Sequence, residues 1–139
     1  MIHTWPDTLP RPERNTWQVQ PQDARRKRQA DTGLPGYRRR WSNVARTISL
    51  SVLLSRSQKA VFDQFFHLNC AEGADLFWMP DPTTDGWALL STDGQPLLVA
   101  EGQPLLISAT WLCHWGDQLP VETIVGREFR KTFSVVVMP

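Results

Sequence analysis

The sequence predicts an α+β chain that is mostly β: β-sandwich-like antiparallel sheets, one amphipathic helix and an extended N-terminal arm. Three observations predict it. Residues 47–54 alternate with a period of two, residues 61–68 carry a single apolar stripe of helical period, and the first 14 residues hold three prolines. At 139 residues the chain is one domain with one core, and its 41% apolar composition is that of an ordinary globular protein.

Pro6, Pro10 and Pro12 fix φ and remove N–H donors, so residues 1–14 are predicted to form an extended arm anchored by Trp5 and Leu9. Residues 15–139 are predicted to form a single β-rich domain. Trp17 and Val19 share one face of its opening strand. The basic runs 25–28 and 38–40 then flank the turn signals Asp31-Thr32-Gly33 and Pro35-Gly36, which predicts a basic hairpin over about 23–42. Ile48, Leu50, Val52 and Leu54 alternate with Thr47, Ser49, Ser51 and Leu53, the signature of a strand with one buried face.

The helix is predicted over about 57–69. Ser55 or Ser57 caps its free N–H groups, Val61, Phe62, Phe65, Phe66 and Leu68 make its apolar stripe, and Gly73 stops it. Residues 74–79 and 87–91 are short strands around the turn 80–86. A tandem duplication follows: DGQPLLVA (93–100) is echoed by EGQPLLIS (101–108), two copies where a solenoid needs about three or more. They are expected as neighbouring strand starts. Residues 105–115 form a strand, 117–120 a loop and 129–138 the last strand, with Phe129, Lys131, Phe133, Val135 and Val137 on one face. The total is seven or eight strands and one helix.

The net charge of +1 conceals a polarised chain. Residues 1–60 hold 12 Lys/Arg against 4 Asp/Glu, a net of +8, and residues 61–139 hold 3 against 10, a net of −7. Two uses of this asymmetry are open: the basic segment folds back on its own acidic half, or it meets the acidic surface of a neighbouring subunit. Of the seven tryptophans, four or five are expected in the core, with the others at an interface.

No catalytic set is legible, and the chain is expected not to be an enzyme. Phosphate-cradling glycine loops and a G-x-S-x-G nucleophile elbow are absent from the sequence. Asp75, Asp81 and Asp85 are better explained by turns than by acid–base chemistry. Cys70 and Cys113 lack disulfide or metal spacing and read as reduced core thiols. A zinc site would require His67 and Cys70 to converge with Cys113 and His114, which point to opposite faces of a strand, so neither metal nor cofactor is expected. No apolar run reaches the roughly 18 residues of a membrane span, and the polar, Pro-rich N-terminus is unlike a signal peptide.

The order of short phrases resembles small tail proteins of tailed phages and prophages. The resemblance is carried by Trp5-Pro6-Asp7-Thr8-Leu9-Pro10, by Arg38-Arg39-Arg40-Trp41 before an alternating strand, by an aromatic-rich helix over 58–68, by Gly73-Ala74-Asp75-Leu76-Phe77 and by the aliphatic strand 133–138. It covers most of the chain, and residues 93–124 depart from the pattern. It implies a virion structural component at the tail or head–tail junction, made in the host bacterial cytoplasm, with no catalytic residues to carry over.

The expectation is therefore a ring or tube subunit that contacts copies of itself and other phage tail proteins. The residues expected at subunit interfaces are Trp5, Pro6 and Leu9 of the arm and Arg25, Arg26, Arg28, Arg38, Arg39, Arg40 and Trp41 of the hairpin. The alternative is a nucleic-acid-binding module, with the cations of 25–40 on phosphates and Tyr37 and Trp41 stacked on bases.

Overall fold

The computed structural model describes residues 2–139. Among them are nine strands and one α-helix: β1 (His3–Thr4), β2 (Gln18–Pro21), β3 (Arg25–Arg28), β4 (Gly36–Arg39), β5 (Arg46–Leu54), α1 (Arg56–Gln64), β6 (Phe77–Pro80), β7 (Thr110–Trp115), β8 (Val121–Val125) and β9 (Glu128–Val137). The α+β, mostly β class is the one observed. One sheet takes seven strands in the order β1-β6-β7-β9-β5-β2, with β8 also on β9, while β3 and β4 form a separate two-stranded ribbon. Pairing is antiparallel except between β1 and β6, which run parallel.

The sheet is built around the long pair β5–β9, in register from Arg46↔Val137 to Leu54↔Phe129. The period-2 pattern puts Ile48, Leu50, Val52 and Leu54 opposite Val135, Phe133, Lys131 and Phe129 on one face. Except for partly exposed Phe129, these side chains are buried, and Phe77, Met79, Trp111, Cys113 and Trp115 join them from β6 and β7. The layer that covers this face comes from Phe62, Phe65 and Phe66 of the helical segment and from Trp5 and Leu9 of the arm. A second sheet is not what closes the core.

Ser55 is the helix cap. Its Oγ accepts from Gln58 N, and Gln58 Oε1 accepts from Ser55 N, a capping box that satisfies two free donors. The α-helix ends at Gln64, short of the expected 57–69, and a π-helical turn follows over Phe65–Asn69. The wider turn lets Phe62, Phe65, Phe66 and Cys70 all reach the core, while Leu68, expected in the stripe, points to solvent. β8 was not expected; all five of its residues are exposed, so it lacks the alternation that marks a half-buried strand.

The arm runs along the sheet as anticipated for an extended segment, but Trp5 and Leu9 belong to the chain's own core. Trp5, 5% exposed, sits edge-on to Phe62 and Phe65 at 5.9 and 5.7 Å between ring centroids and tilted against Phe77 and Phe133. This corrects the expectation that Trp5 and Leu9 face a neighbour: two large apolar side chains next to an open aromatic face bury more area at home. Pro6 stays half-buried at the surface.

Candidate functional site

Two exposed appendages stand on this core. The first is the basic ribbon, the distal half of a long hairpin whose proximal half is β2–β5. Gln22 N donates to Ala45 O where the chain leaves the sheet, and Arg40 N donates to Ala24 O where it returns. Every residue of β3 and β4 is exposed, and so is Leu34 at the tip, at 92%. Arg25, Arg26, Arg28, Arg38, Arg39, Arg40 and Trp41, the hairpin residues expected at an interface, are thus all gathered on this ribbon and its base.

The ribbon's register opposes like charges. Arg25 stands across from Arg39 and Arg26 across from Arg38. Like charges directly opposite weaken a strand pair, and an isolated two-stranded hairpin is marginal in water. Among the described residues, one ion pair relieves the ribbon: Arg25 Nε donates to Asp23 at 3.0 Å, which holds the Asp23 carboxyl below its usual value. The guanidinium of Arg25 also lies 4.4 Å over the Tyr37 ring, and that of Arg40 lies 4.7 Å over Trp41. The other carboxylate–cation pairs lie away from the ribbon. Asp63 and Glu122 hold Lys131, Glu122 also holds Lys59, and Glu13 holds Arg130. Among the described residues, no carboxylate of residues 61–139 forms an ion pair with the ribbon.

The second appendage is a knob formed by residues 85–108. The duplication seen in the sequence is in fact a triplication. DGWALLST (85–92) precedes DGQPLLVA and EGQPLLIS, and the three units close into a ring with threefold pseudosymmetry. Leu89 N donates to Leu105 O, Leu97 N to Leu89 O and Leu105 N to Leu97 O, each at 2.8 Å. Ser91 N donates to Gln95 O, Val99 N to Gln103 O and Ile107 N to Trp87 O, while bridges pair Leu90 with Pro96, Leu98 with Pro104 and Leu106 with Ala88. Each unit turns on a glycine with φ near +80° (Gly86, Gly94, Gly102), a conformation that a side chain resists. The first copy escapes notice because Trp87-Ala88 replaces Gln-Pro, but an acidic residue followed by G-x-x-L-L at eight-residue spacing is its signal.

The knob's hydrogen bonds close in a ring, yet none of its residues is buried. Trp87, Leu89, Leu90, Leu97, Leu98, Val99, Leu105 and Leu106 are all exposed. Its root is tied to the body by Arg11, whose Nη2 donates to Asp85 O at 2.7 Å, and by Asp85 Oδ1, which accepts from Ala109 N.

Asp75 and Asp81 have structural partners. Asp81 accepts from Thr83 N, Thr83 Oγ1 and Thr84 Oγ1; burial pushes its pKa up, but these hydrogen bonds outweigh that and hold the carboxyl low. Asp75 meets His3, and His67 meets Glu72. A cleft of about 360 Å³ between the arm and the knob's root is lined by Arg11, Glu13, Trp17 and Trp87 among others, and its acid, Glu13, is held by Arg130 and Ser51. Among the described residues there is no group of three or more His, Cys, Asp or Glu side chains placed to hold a metal. Cys70 and Cys113 are free and buried, and no described helix is long and apolar enough to cross a membrane. The chain matches no family model, no curated protein and no solved structure.

Proposed function

We propose that this chain is a structural subunit of a repeating assembly, with the basic ribbon reaching from one subunit to an acidic surface on the next. A phage tail or head–tail junction is the setting its sequence phrases suggest. The observation that carries the reading is the ribbon's register, with Arg25 opposite Arg39 and Arg26 opposite Arg38 and, among the described residues, no ion pair but that of Arg25 with Asp23. Such a hairpin is stabilised by an anionic partner from outside. From Gln22 to the tip at Gly33 the chain can extend at most about 40 Å, enough to cross a subunit boundary. A chain with unlike ends makes heterologous contacts, which close into rings or propagate as tubes.

Sedimentation of the purified chain tests this. At low salt it should form a discrete multi-subunit species that dissociates as salt screens the contact. The triple substitution Arg38→Glu, Arg39→Glu, Arg40→Glu should leave monomers at every salt concentration. A wild-type chain that stays monomeric at high concentration and low salt removes the reading. A second reading, nucleic-acid binding, is favoured by Tyr37 and Trp41, each exposed and covered by a guanidinium. It requires an affinity whose logarithm falls linearly with the logarithm of salt concentration.

A further inference from the structure

We propose that the knob at residues 85–108 is the seat for the basic ribbon of a second copy of this chain. The inference rests on the assembly reading above and names the surface that receives the ribbon. It starts from a mismatch within the knob. Closed hydrogen bonding gives it a defined shape, yet eight large apolar side chains lie open to water on about two dozen residues. So many large apolar side chains exposed on so short a structured segment mark an interaction site.

Charge selects the occupant. The knob carries Asp85, Asp93 and Glu101 and no basic residue, with Asp93 and Glu101 exposed at successive corners. The hairpin over 23–42 carries seven basic residues against Asp23 and Asp31. The apolar parts match as well. The ribbon exposes Leu34, Tyr37 and Trp41 among its cations, and the knob exposes paired leucines among its acids. Among the described residues, no hydrogen bond or ion pair joins ribbon to knob within the chain, so both surfaces remain free for neighbours. One subunit therefore offers a cationic aromatic ribbon and an anionic leucine knob, a donor and a receiver for head-to-tail growth. The guanidinium forks of Arg38 and Arg39 suit carboxylates at the knob's corners, and the leucine faces take the rings.

Two full-length variants test the pairing. Leu98→Lys with Leu106→Lys alters side chains that are 62% and 59% exposed and lie outside the core, so the thermal midpoint should stay at the wild-type value. Arg38→Glu with Arg39→Glu disables the ribbon. Each variant alone should be monomeric, and an equimolar mixture should give one-to-one dimers and nothing larger, because one intact ribbon then meets one intact knob. Adding Asp93→Lys and Glu101→Lys to the ribbon variant should restore large assemblies. A photo-crosslinker at Gln95 gives a reading independent of these variants and should capture residues 25–41 of another copy. If the knob variant assembles as wild type does, or the crosslinks fall elsewhere, the knob is not the seat, while a ribbon-dependent assembly would still stand. If wild type does not assemble at all, the reading beneath the inference falls first.

Discussion

Arg130 grips Glu13 with two nitrogens: Nε donates to Oε2 at 2.8 Å and Nη2 to Oε1 at 3.1 Å, across 117 residues of sequence. Ser51 Oγ donates to the same carboxylate at 2.6 Å and is itself hydrogen-bonded to Thr16 Oγ1. Glu13 N in turn donates to Ser51 O. One acid at the end of the arm thereby ties the arm to β5 and β9 on the side of the sheet opposite the aromatic core.

The tie is expected to be worth about 2 kcal/mol, the range of hydrogen bonds to a charged group. The bonds from Arg130 and then Ser51 hold the Glu13 carboxyl below its ordinary 4.5. Its contribution is therefore complete above pH 4.5 and fades as pH falls through the folded-state value. Glu13→Gln should lose about 2 kcal/mol in urea unfolding at pH 7, with the deficit shrinking toward pH 3. A deficit that is the same at both pH values would show that the ionised carboxylate is not what matters.

Trp5 should be the arm's principal anchor. Removing an indole packed on Phe62, Phe65, Phe77 and Phe133 leaves a large cavity, so Trp5→Ala should cost about 3–5 kcal/mol in denaturant unfolding. That is a large share of the roughly 5–15 kcal/mol that holds a typical domain together. Pro6→Ala, at a half-buried neighbour, should change stability by less than about 0.5 kcal/mol. Equal effects at the two positions would contradict the packing described.

The thiols should be silent until the core opens. Burial pushes the Cys113 thiol up to about 12, and burial raises Cys70 too. A value near 12 leaves roughly one thiolate in ten thousand at pH 8, and access is closed besides. A disulfide thiol reagent should label neither cysteine in the native chain and both after unfolding in guanidinium. Prompt native labelling of Cys113 would show that β7 opens readily from β9.

Elements whose periodicity reports a single local environment were legible from the residues alone. Residues 48–54 and 129–137 alternate because one face of each strand is buried, and Ser55 with Gln58 marks the helix start through its own side-chain bonds. The basic ribbon was equally legible, because charge runs and turn residues act within a few positions of one another. The remaining features follow from contacts between distant segments. The π turn after Gln64 arises because Phe65, Phe66 and Cys70 must all reach one core, and helical spacing alone does not express that demand. The inward turn of Trp5 and Leu9 depends on an aromatic face assembled from residues up to Phe133, far along the chain. Ring closure of the knob joins Leu105 back to Leu89 and Ile107 back to Trp87, so its first copy becomes plain only when the last one returns to meet it. Patterns within one element follow from neighbours in sequence, whereas a cover, a clamp or a closed ring follows from which distant surfaces exclude water together.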